Sequence, residues 1–360
     1  MPSNKVVIAS AGAGKTTEIV TMALACRPKK SAIVTFTNNN VEEIRRKCIE
    51  INGCIPPEIT IYPWYTFVLH EMARPYQGSV YSPRIASVQL VNGTSTRYAK
   101  KTDIQTYFFN KNHDVYSDKL SDFALLCEKS SNGAMMKRVG DMFDRIFIDE
   151  VQDLAGFDID LLDTLLRSRI QVTLVGDVRQ STFRTNYARK NKKFVGRGLL
   201  ERIEAWKNAR LCDVSYLAQS YRCVQAICDF ADGIFPDLPK AVSKNDIVTG
   251  HDGIYIVRTK DLGLYVDKYE PQILRLNRKF HCDYPSMNYG ASKGLGFGRV
   301  LIMPYKGLTQ WITTGESSNV AGSADEVYVA ITRARQSVAI VHDGEFRVEN
   351  CTVFDPLTSL

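Results

Sequence analysis

Lys15 and the adjacent carboxylates Asp149 and Glu150 are the side chains best suited to work on a phosphoanhydride. They offer one point cation, one carboxylate that could hold a metal ion and one that could act as a base. Lys15 stands in Ala9-Ser10-Ala11-Gly12-Ala13-Gly14-Lys15-Thr16, after the largely apolar run Lys5-Val6-Val7-Ile8. A strand, a glycine-bearing turn and a helix N-terminus in that order aim several backbone N–H groups at one polyphosphate. Gly12 and Gly14 let the backbone pass close to the phosphates, Lys15 supplies charge to the β and γ oxygens, and the Thr16 hydroxyl is placed to ligate Mg²⁺. Ala11, Ala13 and Thr17 complete the stretch expected to line the cofactor, and Ile19, Val20, Met22, Ala23 and Leu24 continue it with helical spacing. The first glycine of the general phosphate-loop pattern is Ala9 here. Binding of a nucleoside triphosphate is the chemistry implied.

The run Asp149-Glu150-Val151-Gln152-Asp153 directly follows Arg145-Ile146-Phe147-Ile148. There the first carboxylate would hold Mg²⁺ through water and the second would orient an attacking water. An acidic cluster can also cap a helix. Lys15 upstream favours the catalytic reading.

These groups need a scaffold that brings distant segments to one rim. Short apolar runs precede polar switch residues: Ala32-Ile33-Val34 before Thr35, Ile146-Phe147-Ile148 before Asp149, and Val172-Thr173-Leu174-Val175 before Gly176-Asp177. Buried strands alternating with helical patterns predict an α/β fold, with an open parallel sheet that binds ligands beyond the strands' carboxyl ends. A second set, Gly253–Val257, Arg299–Met303 and Ser337–Val341, predicts a sheet of its own. Residues 57–136 are aromatic, polar and punctuated by Pro57, Pro63, Pro75 and Pro83, which reads as an inserted subdomain. The expected domains are therefore 1–56 with 137–211, the insertion 57–136, and 212–360. Pro236 to Asp252 reads as a loop.

The 360 residues are 44% hydrophobic and 24% charged, an ordinary globular balance with room for more than one core. A net charge of +7 is too modest to identify a nucleic-acid binder by itself. Nine scattered cysteines with no C-x-x-C pair suggest free thiols rather than a disulfide framework or zinc site. No stretch approaches the roughly 18 consecutive apolar residues of a membrane span, and the phosphate loop begins too early for a signal peptide. A cytoplasmic protein without a membrane partner is expected.

Further motifs follow in order: Thr35-Phe36-Thr37-Asn38, Gly176-Asp177-Val178-Arg179-Gln180-Ser181, Gln219-Ser220-Tyr221-Arg222, Ser292-Lys293-Gly294-Leu295 and Val329-Ala330-Ile331-Thr332-Arg333-Ala334. With the phosphate loop and the Asp149-Glu150 segment, this series resembles the UvrD/Rep/PcrA branch of superfamily 1 helicases from Val6 to Val341. The resemblance implies two RecA-like domains, ATP with Mg²⁺ as cofactors, and single-stranded DNA as the track. By residue, it implies that Gln180, Arg222 and Arg333 sense the γ-phosphate beside Lys15, Asp149 and Glu150, and that Tyr221 stacks on the nucleotide base. Phe36, with Thr37 and Asn38, matches an aromatic on which a DNA base stacks, Phe183 stands where the family has a tyrosine of similar task, and Ser292 belongs to a strand-contacting motif. Trp64 and Tyr65, in Tyr62-Pro63-Trp64-Tyr65-Thr66-Phe67, either contact DNA or anchor the insertion. The basic run Arg184, Arg189, Lys190, Lys192, Lys193 and Arg197 either tracks phosphates or is a solvated loop.

The sequence departs from that family at definite places. No glutamine-bearing adenine reader stands among the eight residues before Ala9, Thr185-Asn186 replaces a Trp-Arg pair, and Val68 replaces a histidine. Gly290 and Gly296 replace a histidine and a glutamate around Ser292-Lys293-Gly294-Leu295, and too few residues separate Arg222 from Ser292 for the large helical insertion of full-size relatives. The expected activity is an ATP-dependent translocase or helicase on single-stranded DNA, with 3′-to-5′ polarity implied by the branch and RNA as another admissible track. The alternative is a nucleotide-gated sensor or regulatory subunit of a partner such as a nuclease. A kinase or GTPase built on the same loop would leave Arg222, Arg333 and the two-sheet layout unexplained.

Overall fold

A computed structural model describes residues 4–280 and 282–357. The chain divides into two units. One takes the chain up to Ile8, Lys15–Val178 and Phe183–Ser215; the other takes Ala9–Gly14, Arg179–Thr182 and the chain from Tyr216 onward.

In the first unit, six strands form one sheet in the order Ile59–Pro63, Ser31–Thr35, Arg145–Ile148, Gln171–Gly176, Asn4–Ala9 and Cys212–Leu217. Neighbours from the first through the fifth of these pair in parallel. The register sets Ile148 opposite Leu174 and Ile8 opposite Gly176, so Ala9 and Asp149 leave the sheet at the same rim. This is where ligands bind in an open parallel sheet. The inner strands are apolar because both faces are covered, and Ile33, Val34, Ile146, Val172 and Leu174 are all fully enclosed.

Between Pro63 and Arg145 the chain forms short helices, a two-stranded pair (Val88–Gln89 with Val115–Tyr116) and the helices Leu120–Ser130 and Ala134–Met142. Its core is aromatic: Tyr81 stacks on Phe109 at 4.1 Å, and Phe123 meets Phe108 and Phe109 edge-on at 5.3 and 5.1 Å. That packing explains a segment rich in rings yet poor in helical or strand periodicity.

The second unit holds another six-stranded sheet, ordered Ser286–Asn288, Gln272–Arg275, Phe297–Ile302, Ala334–Val341, Gly253–Val257 and Cys351–Val353. Every pairing in it is parallel. The chain is thus α/β with two parallel sheets, the architecture expected of two RecA-like domains. The stretch Pro236 to Asp252, read as loop, contains the short strand Val242–Ser243 paired with Gln219–Ser220. Among the described residues no helix is long and apolar enough to cross a membrane.

His251 lies in this second unit between two tyrosine rings, Tyr255 at 3.8 Å and Tyr269 at 3.7 Å, with its Nε2 hydrogen-bonded to the Tyr265 hydroxyl at 2.9 Å. Burial first, and the Arg299 charge second, lower its pKa from 6.5 to about 4. The unfolded chain therefore takes up the proton before the folded one. This contribution to stability is complete above about pH 6.5 and is lost as pH falls toward about 4. His251→Phe keeps a ring in the stack and removes the titration. Its melting temperature is expected to fall less between pH 7 and pH 5 than that of the unaltered chain, and equal falls would contradict the assignment.

Candidate functional site

The phosphate loop leaves the strand Asn4–Ala9 and enters the helix Lys15–Ala25. Gly12 and Gly14 have φ of +73° and +77°, a region costly for any residue with a Cβ. A Cβ on Gly12 would come within 2.6 Å of the Arg222 Cβ, so the absent side chain is also a spatial requirement. The loop is braced inside the second unit. Arg179 Nη2 donates to Ser10 Oγ at 2.7 Å and its Nη1 pairs with Asp232 at 3.1 Å, while its guanidinium lies 5.0 Å from the Tyr328 ring centre. Asp232 thereby supports the loop from a position that no sequence motif marks.

In the first unit, Lys15 Nζ lies 3.8 Å from Glu150 Oε1, both side chains being mostly enclosed. Asp149 follows the strand Arg145–Ile148, continues its pairing by donating its N–H to Val34 O at 2.8 Å, and is 4% exposed. Glu150 takes φ +55°, a left-handed conformation that costs a non-glycine residue about 1–2 kcal/mol. That turn directs its carboxylate toward Lys15, and the Gln152 amide donates to it. Strained residues held this way concentrate at functional sites.

Burial first, and the neighbouring Glu150 charge second, push Asp149 up to about 7, with Lys15 pulling the other way. Two adjacent carboxylates with one nearby ammonium form a donor set that a divalent cation would satisfy, because the cation favours the ionised form. Among the described residues no group of three His, Cys, Asp or Glu side chains converges as an all-protein metal cage. The hard oxygen donors of Asp149 and Thr16 fit Mg²⁺, which is usually shared between one or two protein oxygens, phosphates and water. Asp149 and Thr16 are the residues that would hold it.

The second unit holds the other residues that the motif order implies for the γ-phosphate. Arg333, 1% exposed, donates from Nη2 to Gln180 Oε1 at 3.0 Å, from Nε to Val329 O at 3.0 Å and from Nη1 to Leu295 O at 3.2 Å. Lys293 Nζ donates to Gln180 O at 2.8 Å. Arg222 is half-buried, with Nη1 donating to Thr332 O at 3.3 Å. Tyr221 donates its backbone N–H to Gly12 O at 2.9 Å, while its ring is 63% exposed and reaches Gly14. An exposed ring pinned at a phosphate loop is suited to stacking on a base. Ala11, Ala13 and Thr16 lie within or directly after the braced loop, and Thr17 is exposed on the first turn of the helix.

The aromatics of the first unit separate into two kinds. Phe36 is half-buried, meets Tyr65 edge-on at 6.0 Å and lies 6.4 Å from Phe183, which is 41% exposed. A cavity of about 760 Å³ opens beside Phe36 and is lined by Thr37, Asn38, Tyr65, Leu69, Arg74 and Arg184 among others. Asn38 is exposed there, whereas the Thr37 hydroxyl caps the helix Asn38–Asn52 by accepting the Asn40 N–H at 3.1 Å. Trp64, read as either a DNA contact or an anchor, and Ser292, implied to be a strand contact, are both enclosed. Trp64 is 1% exposed and donates to Asp158 at 3.2 Å; Ser292 is fully buried and donates to Tyr289 O at 2.6 Å. Trp64 is thus an anchor, and neither side chain offers a surface to a strand. Of the basic run, Lys190 pairs with Asp160 and Lys193 with Glu201.

A two-sheet α/β chain that carries a glycine-bearing loop between a strand and a helix, with Lys15 paired to Glu150, belongs to the broad class of phosphate-loop proteins. More narrowly, the chain belongs to the AAA_19 family, described as an AAA domain, whose profile matches residues 1–186. No curated protein matches the sequence. Among solved structures it is similar to the arterivirus nonstructural protein 10 helicase, at 15% identity and a TM-score of 0.49, covering 94% of this chain and 59% of that one. The same helicase in complex with DNA gives 14% identity and a TM-score of 0.49, with 95% and 60% covered. The PRRSV helicase gives 14% and 0.45, with 94% and 52% covered. The chain thus spans between 52% and 60% of the length of these structures.

Proposed function

We propose that the chain is an ATP-hydrolysing, Mg²⁺-dependent motor of the superfamily 1 helicase type, moving on single-stranded nucleic acid. The observation that carries this reading is the Lys15–Glu150 pair, 3.8 Å apart at the rim where the phosphate loop begins, with Glu150 held at φ +55°. Lys15 neutralises the β and γ oxygens, and Glu150 orients the attacking water. Asp149 and Thr16 would hold Mg²⁺, which when bound would offset charge on the phosphates. Arg222 and Arg333, the latter linked to Gln180, stabilise charge on the transferred group, and Tyr221 stacks on the base. Phe36 and Phe183 stack on bases of the strand, a contact indifferent to sequence.

The finer reading, from the UvrD/Rep/PcrA-like order of motifs, is DNA as the track and 3′-to-5′ as the direction. Displacement of streptavidin from oligonucleotides biotinylated at one end tests both. ATP-dependent release from the 5′ end and not the 3′ end is expected, and release from neither end would count against a motor.

One observation favours the alternative of a nucleotide-gated regulatory subunit. Thr185 and Asn186, which replace the family's Trp-Arg pair, are 2% and 3% exposed and so provide no stacking surface. ATP-dependent strand binding without displacement, restored to displacement by a partner, would select that reading.

A further inference from the structure

We propose that Asp158 is the positioning residue for the strand-contacting aromatics of the first unit, an inference that rests on the proposed nucleic-acid track. Asp158 lies in the first turn of the helix Phe157–Leu166 and is 2% exposed. Its carboxylate gathers donors from three segments far apart in sequence. Oδ1 accepts from Trp64 Nε1 at 3.2 Å and from the Ser121 hydroxyl; Oδ2 accepts from the Thr185 hydroxyl and from Ala155 N at 3.5 Å. Trp64 follows the strand Ile59–Pro63, Ser121 lies in the helix Leu120–Ser130, and Thr185 follows Phe183 by two residues.

The chain of contacts continues to the ring cluster. Tyr65 donates its hydroxyl to Thr185 O at 2.8 Å and packs edge-on against Phe36 at 6.0 Å, and Phe36 is 6.4 Å from Phe183. Asp158 therefore fixes Tyr65 through both of its neighbours, Trp64 on one side and Thr185 on the other. Asn186 is turned inward as well. Its Oδ1 accepts from Ala188 N at 2.8 Å, and its amide fills the space that a Cβ on Gly156, at φ +57°, would occupy. The Thr185-Asn186 pair is thus a buried brace and not a stacking surface, leaving strand contact to Phe36 and Phe183. A buried carboxylate with four donors is suited to such a brace because a fully satisfied network specifies one geometry.

Anisotropy of a fluorescent oligo-dT strand, measured on the full chain without nucleotide, tests this. Asp158→Ala is expected to raise the Kd about ten-fold, the scale of one lost stack, with basal ATPase retained. Asp158→Asn keeps an acceptor and is expected to restore most of the affinity. Tyr65→Phe, which removes the hydroxyl that donates to Thr185 O, is expected to weaken binding in the same direction. In the double variant Asp158→Ala/Phe183→Ala, binding is expected to be at most about two-fold weaker than in Phe183→Ala alone, because the two changes act on one stack. Losses that multiply, or a matched fall in strand affinity and basal ATPase, would overturn the role. Should Asp158→Ala fail to fold, Tyr65→Phe and Thr185→Val decide: weakened binding in both supports it and unchanged binding in both removes it. An unaltered chain that binds neither oligo-dT nor oligo-rU defeats the functional reading along with this one, whereas strong wild-type binding with unaffected variants defeats only the role of Asp158.

Discussion

Glu150→Gln is expected to bind magnesium-ATP as tightly as the unaltered chain and to hydrolyse it about 10²–10⁴-fold more slowly, the range lost with a positioned acid–base group. The exchange preserves size and leaves an amide oxygen where the carboxylate meets Lys15 at 3.8 Å. It also removes a negative charge near the phosphates, so affinity has no electrostatic reason to fall. What disappears is the acceptor able to polarise water. Because Glu150 is held at φ +55° by the turn after Ile148, the new amide should occupy the same place. Lys15→Ala provides the contrast, since loss of the ammonium should abolish tight triphosphate binding and turnover together. Equilibrium binding of a fluorescent ATP analogue beside single-turnover hydrolysis separates the two. A Glu150→Gln protein with ordinary turnover would assign the water to another residue.

The second large effect concerns the arginines. Arg222→Ala is expected to slow hydrolysis about 10³-fold or more, at the lower end of the arginine-finger range, with the fold intact. Arg222 is half-buried, is placed against Gly12 and has a bond to Thr332 O at 3.3 Å, so its removal leaves little unsatisfied. Arg333→Ala should slow turnover as well but also lower stability, because the Val329 and Leu295 carbonyls and the Gln180 amide oxygen lose a donor. A buried acceptor left unpaired costs about 1–3 kcal/mol. Paired thermal melts and single-turnover rates distinguish these outcomes. Equal stability losses in both variants, or an unaffected rate in the Arg222 variant, would reject this division of labour.

The inner strands were legible because burial on both faces makes them read as unbroken apolar runs, as in Ala32-Ile33-Val34 and Val172–Val175. Edge strands carry no such mark. Cys212–Leu217 is largely solvent-facing, and Cys351–Val353 has two exposed residues of three, so neither stood out. The phosphate loop and Asp149-Glu150 were visible because local backbone geometry ties their chemistry to adjacent residues. Side-chain direction was not visible. Trp64 and Ser292 have the residue types of strand contacts, yet tertiary packing turns both inward. Asp158 gave only the signal of an acid in a helix's first turn. That Trp64, Ser121 and Thr185 converge on it depends on segments 94, 37 and 27 residues away, which no local pattern encodes. Similarly, Arg179 appeared within a motif, but its partner Asp232 did not.

The most direct test of the motor is the steady-state ATPase rate of the unaltered chain titrated with single-stranded DNA, single-stranded RNA and blunt duplex DNA. Saturable acceleration by a single strand, absent in Glu150→Gln and weak with duplex, is the predicted result. A rate that stays flat across all three titrations would contradict it.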